Sequence, residues 1–325
     1  MLVFTIRRLM QSVVVLLIMS LVVFLGIYAI GSPIDILINP EADIAEQEAA
    51  VRRLGLDKPI WTQYWVFLSS ALTGDLGASF VHNEPALTLI FDRLPATLEL
   101  AVVAVGLAII IGIPAGMIAG LYPDSKVGKT IMAGSILGFS LPTFWVGLMM
   151  IMVFAVMLGW LPASGRGDTV DLFGVPVSFL TWDGFTHILL PALNLALFKM
   201  SLVIRLSRAG TREVMLQDYI KFARAKGVSE TRIICVHVLK NIMIPVVTVL
   251  GLELGSVIAF AVVTETVFAW PGIGKLLIDS IGNLDRPVVV AYLLLTVTMF
   301  IIINFVVDIL YSVLDPRVRL ENTKS

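Results

Sequence analysis

The sequence predicts an all-α integral membrane protein with six membrane-crossing helices, and three observations carry that prediction. Hydrophobic residues make up 58% of the 325 residues and charged ones only 14%, with a mean hydropathy of +0.95; soluble domains run near 45–50% apolar and about 25% charged. Apolar runs of the roughly 20 residues that cross a bilayer as helix recur at Leu9–Ile30, Thr97–Leu121, Ile131–Trp160, His187–Leu206, Met243–Phe268 and Val288–Leu314. The third observation is charge placement. With the amino terminus inside, 15 of the 23 Lys and Arg residues fall on that side, seven fall outside and Lys199 lies within a span. Short basic loops stay in the cytoplasm, so both termini are expected there; the net charge of −1 hides this asymmetry.

The first span follows Arg7 and Arg8, exceeds the apolar core of a signal peptide and is not closed by an A-x-A site, which reads as an uncleaved anchor. The outer segment Gly31–Pro95 changes pattern along its length. Glu46–Leu54 reads as a short amphipathic helix, "LDKPIWTQYWVFLSSAL" as a second one with interfacial aromatics, and "TGDLGASF" as a glycine-punctuated loop. The division is therefore 1–96, anchor and extracytoplasmic segment; 97–314, transmembrane core; 315–325, cytoplasmic tail.

In the third span, "LGFSLPTFWVG", Pro142 removes a backbone donor and is expected to kink the helix. A membrane tolerates such a break where protein or a water-filled cavity satisfies the freed carbonyl. Pro142, Phe144 and Trp145 are thus pathway or gating candidates, with a plain packing kink as the alternative. Two further outer loops, Leu161–Thr186 and "FAWPGIGKLLIDSIGNLDRP", the latter with a short amphipathic piece, suit docking of an external partner.

Enzyme chemistry finds little support. "PDSKVGKT" imitates a phosphate-binding loop but has Pro123 at the first glycine position and follows a membrane helix, not a strand. His82, His187 and His237 lie in three separate segments without ligand-like spacing, and no nucleophile elbow occurs. The single cysteine, Cys235, cannot form an internal disulfide. Nothing in the sequence suggests nucleic-acid binding.

Ionisable residues inside spans are costly and functional by default. Glu253 sits mid-span and is a pathway candidate; Glu265 lies near the end of the same run, where solvation would suffice; Lys199 and Asp308 complete the set. An ion-coupled transporter would use Glu253 as its coupling carboxylate, while the alternative is pairing within the bundle, Lys199 with Glu253 or Asp308.

One polar segment stands between the fourth and fifth runs: "DYIKFARAKGVSETRIICVHVLKN", Asp218–Asn241. Met215, Tyr219, Phe222 and Ala223 recur at helical spacing from Val214 to Lys226. Gly227 supplies a left-handed C-terminal position, with Lys226 against the helix dipole. Ser229 is placed to cap a second helix with Glu230 in its first turn, stopped or bent at Pro245. Two short helices with an apolar ridge and a basic rim form a plug for a groove in another protein; a basic helix resting on anionic lipid fits the same periodicity.

This segment resembles the cytoplasmic coupling loop of ABC importer permeases of the dipeptide/oligopeptide/nickel subfamily, where D-Y-x-x-x-A-R-A-K-G and H-x-L-+-N-x-x-x-P are typical. "LGLDKP", "GDLGAS", "RLPATLEL", "PTFWVG", "LPASGR", "ETVFAWPGIG" and "DILYSVLDPRVR" resemble the same subfamily almost end to end. The general permease pattern E-A-A-x-x-x-G is replaced by Lys221, Phe222 and Ala223 before Gly227, and R-D-Y-P by Asp285-Arg286-Pro287.

The resemblance implies the type I (MetI-like) permease fold, with an extracytoplasmic segment after helix 1 and a coupling loop at 207–242, in the bacterial inner membrane. Asp218, Tyr219, Ala223, Arg224, Ala225, Lys226, Gly227, His237, Asn241 and Pro245 would dock that loop on an ATPase, with Arg224 and Lys226 meeting acidic groups there. The implied partners are a second, different permease subunit, two ABC ATPase subunits, an extracytoplasmic solute-binding protein and the lipid bilayer. No cofactor is expected on this chain; ATP and Mg belong to the ATPases. Di- or oligopeptides are the expected cargo, with nickel, glutathione or oligosaccharide as alternatives. An ion-coupled secondary transporter and a non-transporting scaffold are the rival classes.

Overall fold

In the computed structural model, residues 2–29 and 57–314 are described. The expected helix Glu46–Leu54 and the tail after Leu314 lie outside them, as does the side chain of Asp308. Eleven helices occur among the described residues: α1 Leu2–Ala29, α2 Ile60–Leu72, α3 Ala86–Leu121, α4 Lys126–Ser140, α5 Thr143–Met150, α6 Trp182–Met215, α7 Asp218–Ala225, α8 Glu230–Arg232, α9 Leu239–Val267, α10 Ile273–Gly282 and α11 Arg286–Leu314. π-helical stretches extend α5 over Ile151–Met157 and join α8 to α9 over Ile233–Val238. Five helical stretches are long and apolar enough to cross a membrane, and a sixth if α4 and the α5 stretch count as one broken span.

That sixth span is not the kinked helix expected from Pro142. α4 ends at Ser140, and α5 starts afresh at a bend of 110°. Leu141 is extended at φ −86°, ψ 139°, as steric conflict with a following proline ring demands, and Pro142 stands at the N-cap of α5, outside the helix interior where its missing N–H would break a hydrogen bond. The second departure is a small β-ribbon in an otherwise helical chain: β1 Val170–Leu172 pairs antiparallel with β2 Val175–Val177. Phe173 and Gly174 both have positive φ, 56° and 84°, the geometry of a two-residue hairpin turn.

The described residues fall into two compact units. One takes the residues up to Leu94 with Leu276–Phe305; the other takes Pro95–Lys275 and the residues from Val306. In the first, α1 packs on α2 through Phe24, whose ring lies 5.4 Å from Tyr64 and 5.6 Å from Phe67. The "GDLGAS" loop is tied to the residues before α11: Asp285, 1% exposed, accepts from Ser79 Oγ at 2.5 Å and Phe80 N at 3.1 Å. Asp285 of the reordered Asp285-Arg286-Pro287 thus anchors that loop.

In the second unit, α6 is the central helix, packed by α4, α5 and α9. A Gly112-x-x-x-Gly116-x-x-x-Gly120 stripe brings α3 against it. A Cβ on Gly116 would stand 2.6 Å from both Ile204 O and Ser207 Cβ, and one on Gly120 would stand 2.7 Å from Thr211 Cβ. Small residues permit this close approach, which drives helix association in lipid, where apolar burial contributes little.

Candidate functional site

The connector between α6 and α9 is built on an apolar anchor. Ile220 of α7 is fully buried in a cluster with Val214, Ile233, Val238 and Ile242, and Met215 and Ala223 pack against the same cluster. α7 is thereby fixed to the spans on one side. Tyr219 and Phe222 remain exposed, Phe222 at 63%. The ridge expected as one surface is therefore split: Met215 and Ala223 turn inward around Ile220, while Tyr219 and Phe222 face out. The single helix expected from Val214 to Lys226 is also interrupted, since α6 ends at Met215 and α7 starts at Asp218.

Gly227 adopts φ +78°, the left-handed value read from its position after the helix. Val228 N returns to Ala223 O at 3.1 Å and Gly227 N to Arg224 O at 2.9 Å, closing the last carbonyls of α7. Ser229 occupies the N-cap of α8 without a side-chain cap bond, and Glu230 beside it is engaged across the corner. Arg224 donates to it through Nε at 2.6 Å and a second nitrogen at 3.1 Å, a two-point clasp spanning the glycine. Arg224 is therefore paired within the loop. That hydrogen bond lowers the Glu230 carboxyl and raises the Arg224 guanidinium from their ordinary values.

Lys226 lies 4.5 Å over the Phe222 ring, and Lys221 reaches Asp218 at 2.9 Å. Asn241 Nδ2 donates to His237 O at 2.6 Å and Tyr219 Oη at 3.3 Å, and the Tyr219 and His237 rings are 6.4 Å apart. Three residues spread over 22 positions thus form one contact. Ala225 ends α7. Pro245 lies inside α9 and does not end it; the helix continues from Glu230 to Val267 through its π-helical stretch.

Among the pathway candidates, Phe144 and Trp145 are exposed on α5, at 51% and 45%, beside the break at Pro142. Glu253 pairs with Lys199, one of the two intrabundle pairings expected for that lysine.

Glu265 overturns the expectation of a merely solvated group. It is fully buried and accepts from Thr97 Oγ1 at 2.6 Å, Gly274 N at 2.7 Å and Lys275 N at 3.0 Å. Two of these are orphan donors at the start of α10, where a carboxylate is favoured. Glu99, which neither hydropathy nor spacing marks, is a second buried carboxylate. It accepts from Arg166 Nη2 at 2.5 Å and from Ser178 N, Ser178 Oγ and Phe179 N on its other oxygen. Trp270, fully buried, donates Nε1 to Ala96 O at 2.9 Å. The signal was present: Thr97 and Glu99 belong to "RLPATLEL", Arg166 to "LPASGR", and Glu265 and Trp270 to "ETVFAWPGIG". Three separated motifs are one hydrogen-bonded knot.

The chain belongs to the family of binding-protein-dependent transport system inner membrane components, which matches residues 112–320, with the family's N-terminal part matching residues 1–101. It is an ABC importer permease, a multi-pass protein of the inner membrane.

It is 40% identical to the di/tripeptide transport system permease protein DppB of Pseudomonas aeruginosa, over 89% of this chain and 90% of that one. It is 37% identical to the dipeptide transport system permease protein DppB of Alkalihalophilus pseudofirmus, over 98% and 100%, and 39% identical to the glutathione transport system permease protein GsiC of Escherichia coli, over 97% and 98%. The fold matches a chain of the inward-facing MetNI methionine ABC transporter with a TM-score of 0.55 at 18% identity, covering 70% of this chain and 97% of that one.

Proposed function

We propose that this permease moves di- or oligopeptides as one half of a pathway completed by a second, different permease subunit. Two ABC ATPases hydrolyse ATP on its behalf, and an extracytoplasmic binding protein delivers the peptide. The end-to-end similarity to permeases named for di/tripeptide, dipeptide and glutathione transport carries this reading; glutathione is itself a tripeptide. In this reading both termini are cytoplasmic and ATP and Mg are bound by the ATPases alone. The Asp218–Asn241 connector docks in an ATPase groove, presenting the exposed Tyr219 and Phe222 while Ile220 ties it to the spans. Coupling requires an element that moves as a body, and the Arg224–Glu230 clasp and the Gly227 corner supply the stiffness.

The test is uptake of labelled dipeptide by the complete assembly in proteoliposomes. Uptake abolished by vanadate and indifferent to a protonophore is expected. The reverse pattern would assign an ion-coupled mechanism, and an assembly that copurifies with no ATPase would leave only a scaffold.

A further inference from the structure

An ion pair lies at the midpoints of two spans: Lys199 stands midway along α6 and Glu253 midway along α9. Lys199 Nζ donates to Glu253 Oε2 and to Ser256 Oγ at 2.7 Å. The partners are unequally enclosed, the Lys199 side chain being 7% exposed and that of Glu253 36%. Among the described residues, both side-chain groups that engage the carboxylate meet it at Oε2, Ser256 Oγ at 2.7 Å being the second. Oε1 is left open.

A carboxylate opening onto hydrocarbon at mid-span is costly, so such groups face the bundle interior or a water-filled cavity. A pair that served packing alone would enclose both ions, because desolvated charges recover their cost only when their remaining positions are satisfied. Aromatic surface adjoins the pair. The Phe198 ring centroid is 5.2 Å from Lys199 Nζ and 4.8 Å from that of Phe139, and both rings are exposed beside the helix break at Pro142. An open carboxylate oxygen next to aromatic faces is the chemistry that recognises an ammonium group.

Resting on the peptide-import reading above, we propose that Glu253 contacts the cargo in the translocation pathway, its free Oε1 accepting from the amino-terminal ammonium of the peptide in transit. Lys199 and Ser256 fix the carboxylate from the enclosed side. Because Lys199 already balances its charge, the contact is weak enough for the peptide to leave, as conduction requires.

The test uses the complete complex in liposomes with labelled dialanine. Single substitutions strand one charge in the membrane, so the informative variants are the neutral double Lys199→Met/Glu253→Gln and the charge swap Lys199→Glu/Glu253→Lys. Both are expected to assemble at wild-type yield, while uptake per assembled complex falls about tenfold in the neutral double and further in the swap, which presents a cation to the ammonium. A structural role would make uptake follow assembly. Wild-type uptake in either double variant overturns the proposal, as does failure of both to assemble, which assigns the pair to helix packing. A wild-type complex that imports another solute but no peptide sinks the peptide reading and this inference with it.

Discussion

Gly227 shows how much one backbone conformation decides. At φ +78° it turns the chain from α7 into α8 without the steric cost an L side chain would meet, and it lets Arg224 close on Glu230. Proline cannot reach that angle. Gly227→Pro is therefore expected to destabilise the corner by more than about 1 kcal/mol. Arg224→Glu replaces the clasp with like charges. Both variants should insert in the membrane in normal amount yet retain about a tenth or less of the associated ATPase, as for loss of an interface hot spot, with uptake falling in parallel. Quantitative pull-down of the ATPase subunits measures this, and unchanged association would remove the docking role from the loop.

At the scale of elements, the α3–α6 contact rests on glycine spacing. Gly116→Ala places a methyl 2.6 Å from Ile204 O and Ser207 Cβ, and atoms on or next to the backbone have little room to yield. Overpacking of this kind costs about 1–3 kcal/mol. At Gly106 of the same helix an added methyl would meet nothing within 4 Å, so Gly106→Ala should be neutral or raise stability by a few tenths of a kcal/mol up to about 1 kcal/mol. Thermal unfolding in detergent compares the two, and equal melting temperatures would deny the close packing. The break at Pro142 belongs to this scale as well. Whether a proline bends a helix or begins a new one is settled by the residue before it, here an extended Leu141.

At the scale of the whole molecule, the basic residues predict an orientation that the single cysteine can report. Cys235 is exposed on the connector, and a cytoplasmic connector predicts that a membrane-impermeant maleimide labels it in inverted vesicles but not in intact cells. Labelling from outside would invert the topology. The class, the approximate spans and the corner at Gly227 were legible in the sequence because each depends on local properties: hydropathy, helical periodicity and the steric freedom of one residue. The Glu99 and Glu265 knot was not. Its partners, Arg166 and Ser178 for one carboxylate and Thr97, Gly274 and Lys275 for the other, lie up to 168 positions away, and no periodicity relates them.

The sequence by itself determined a membrane-spanning helical protein with a basic connector between two spans, since lipid demands apolar length and its charges stand out against it. Only the tertiary structure decided which charges are spent inside the bundle and which remain open. It buried Glu265 among α10 amides, turned Ile220 inward while Phe222 stayed exposed, and joined Lys199 to Glu253 through Oε2. The physical reason is that a charge's cost depends on what surrounds it in space, and helices far apart in sequence supply those surroundings.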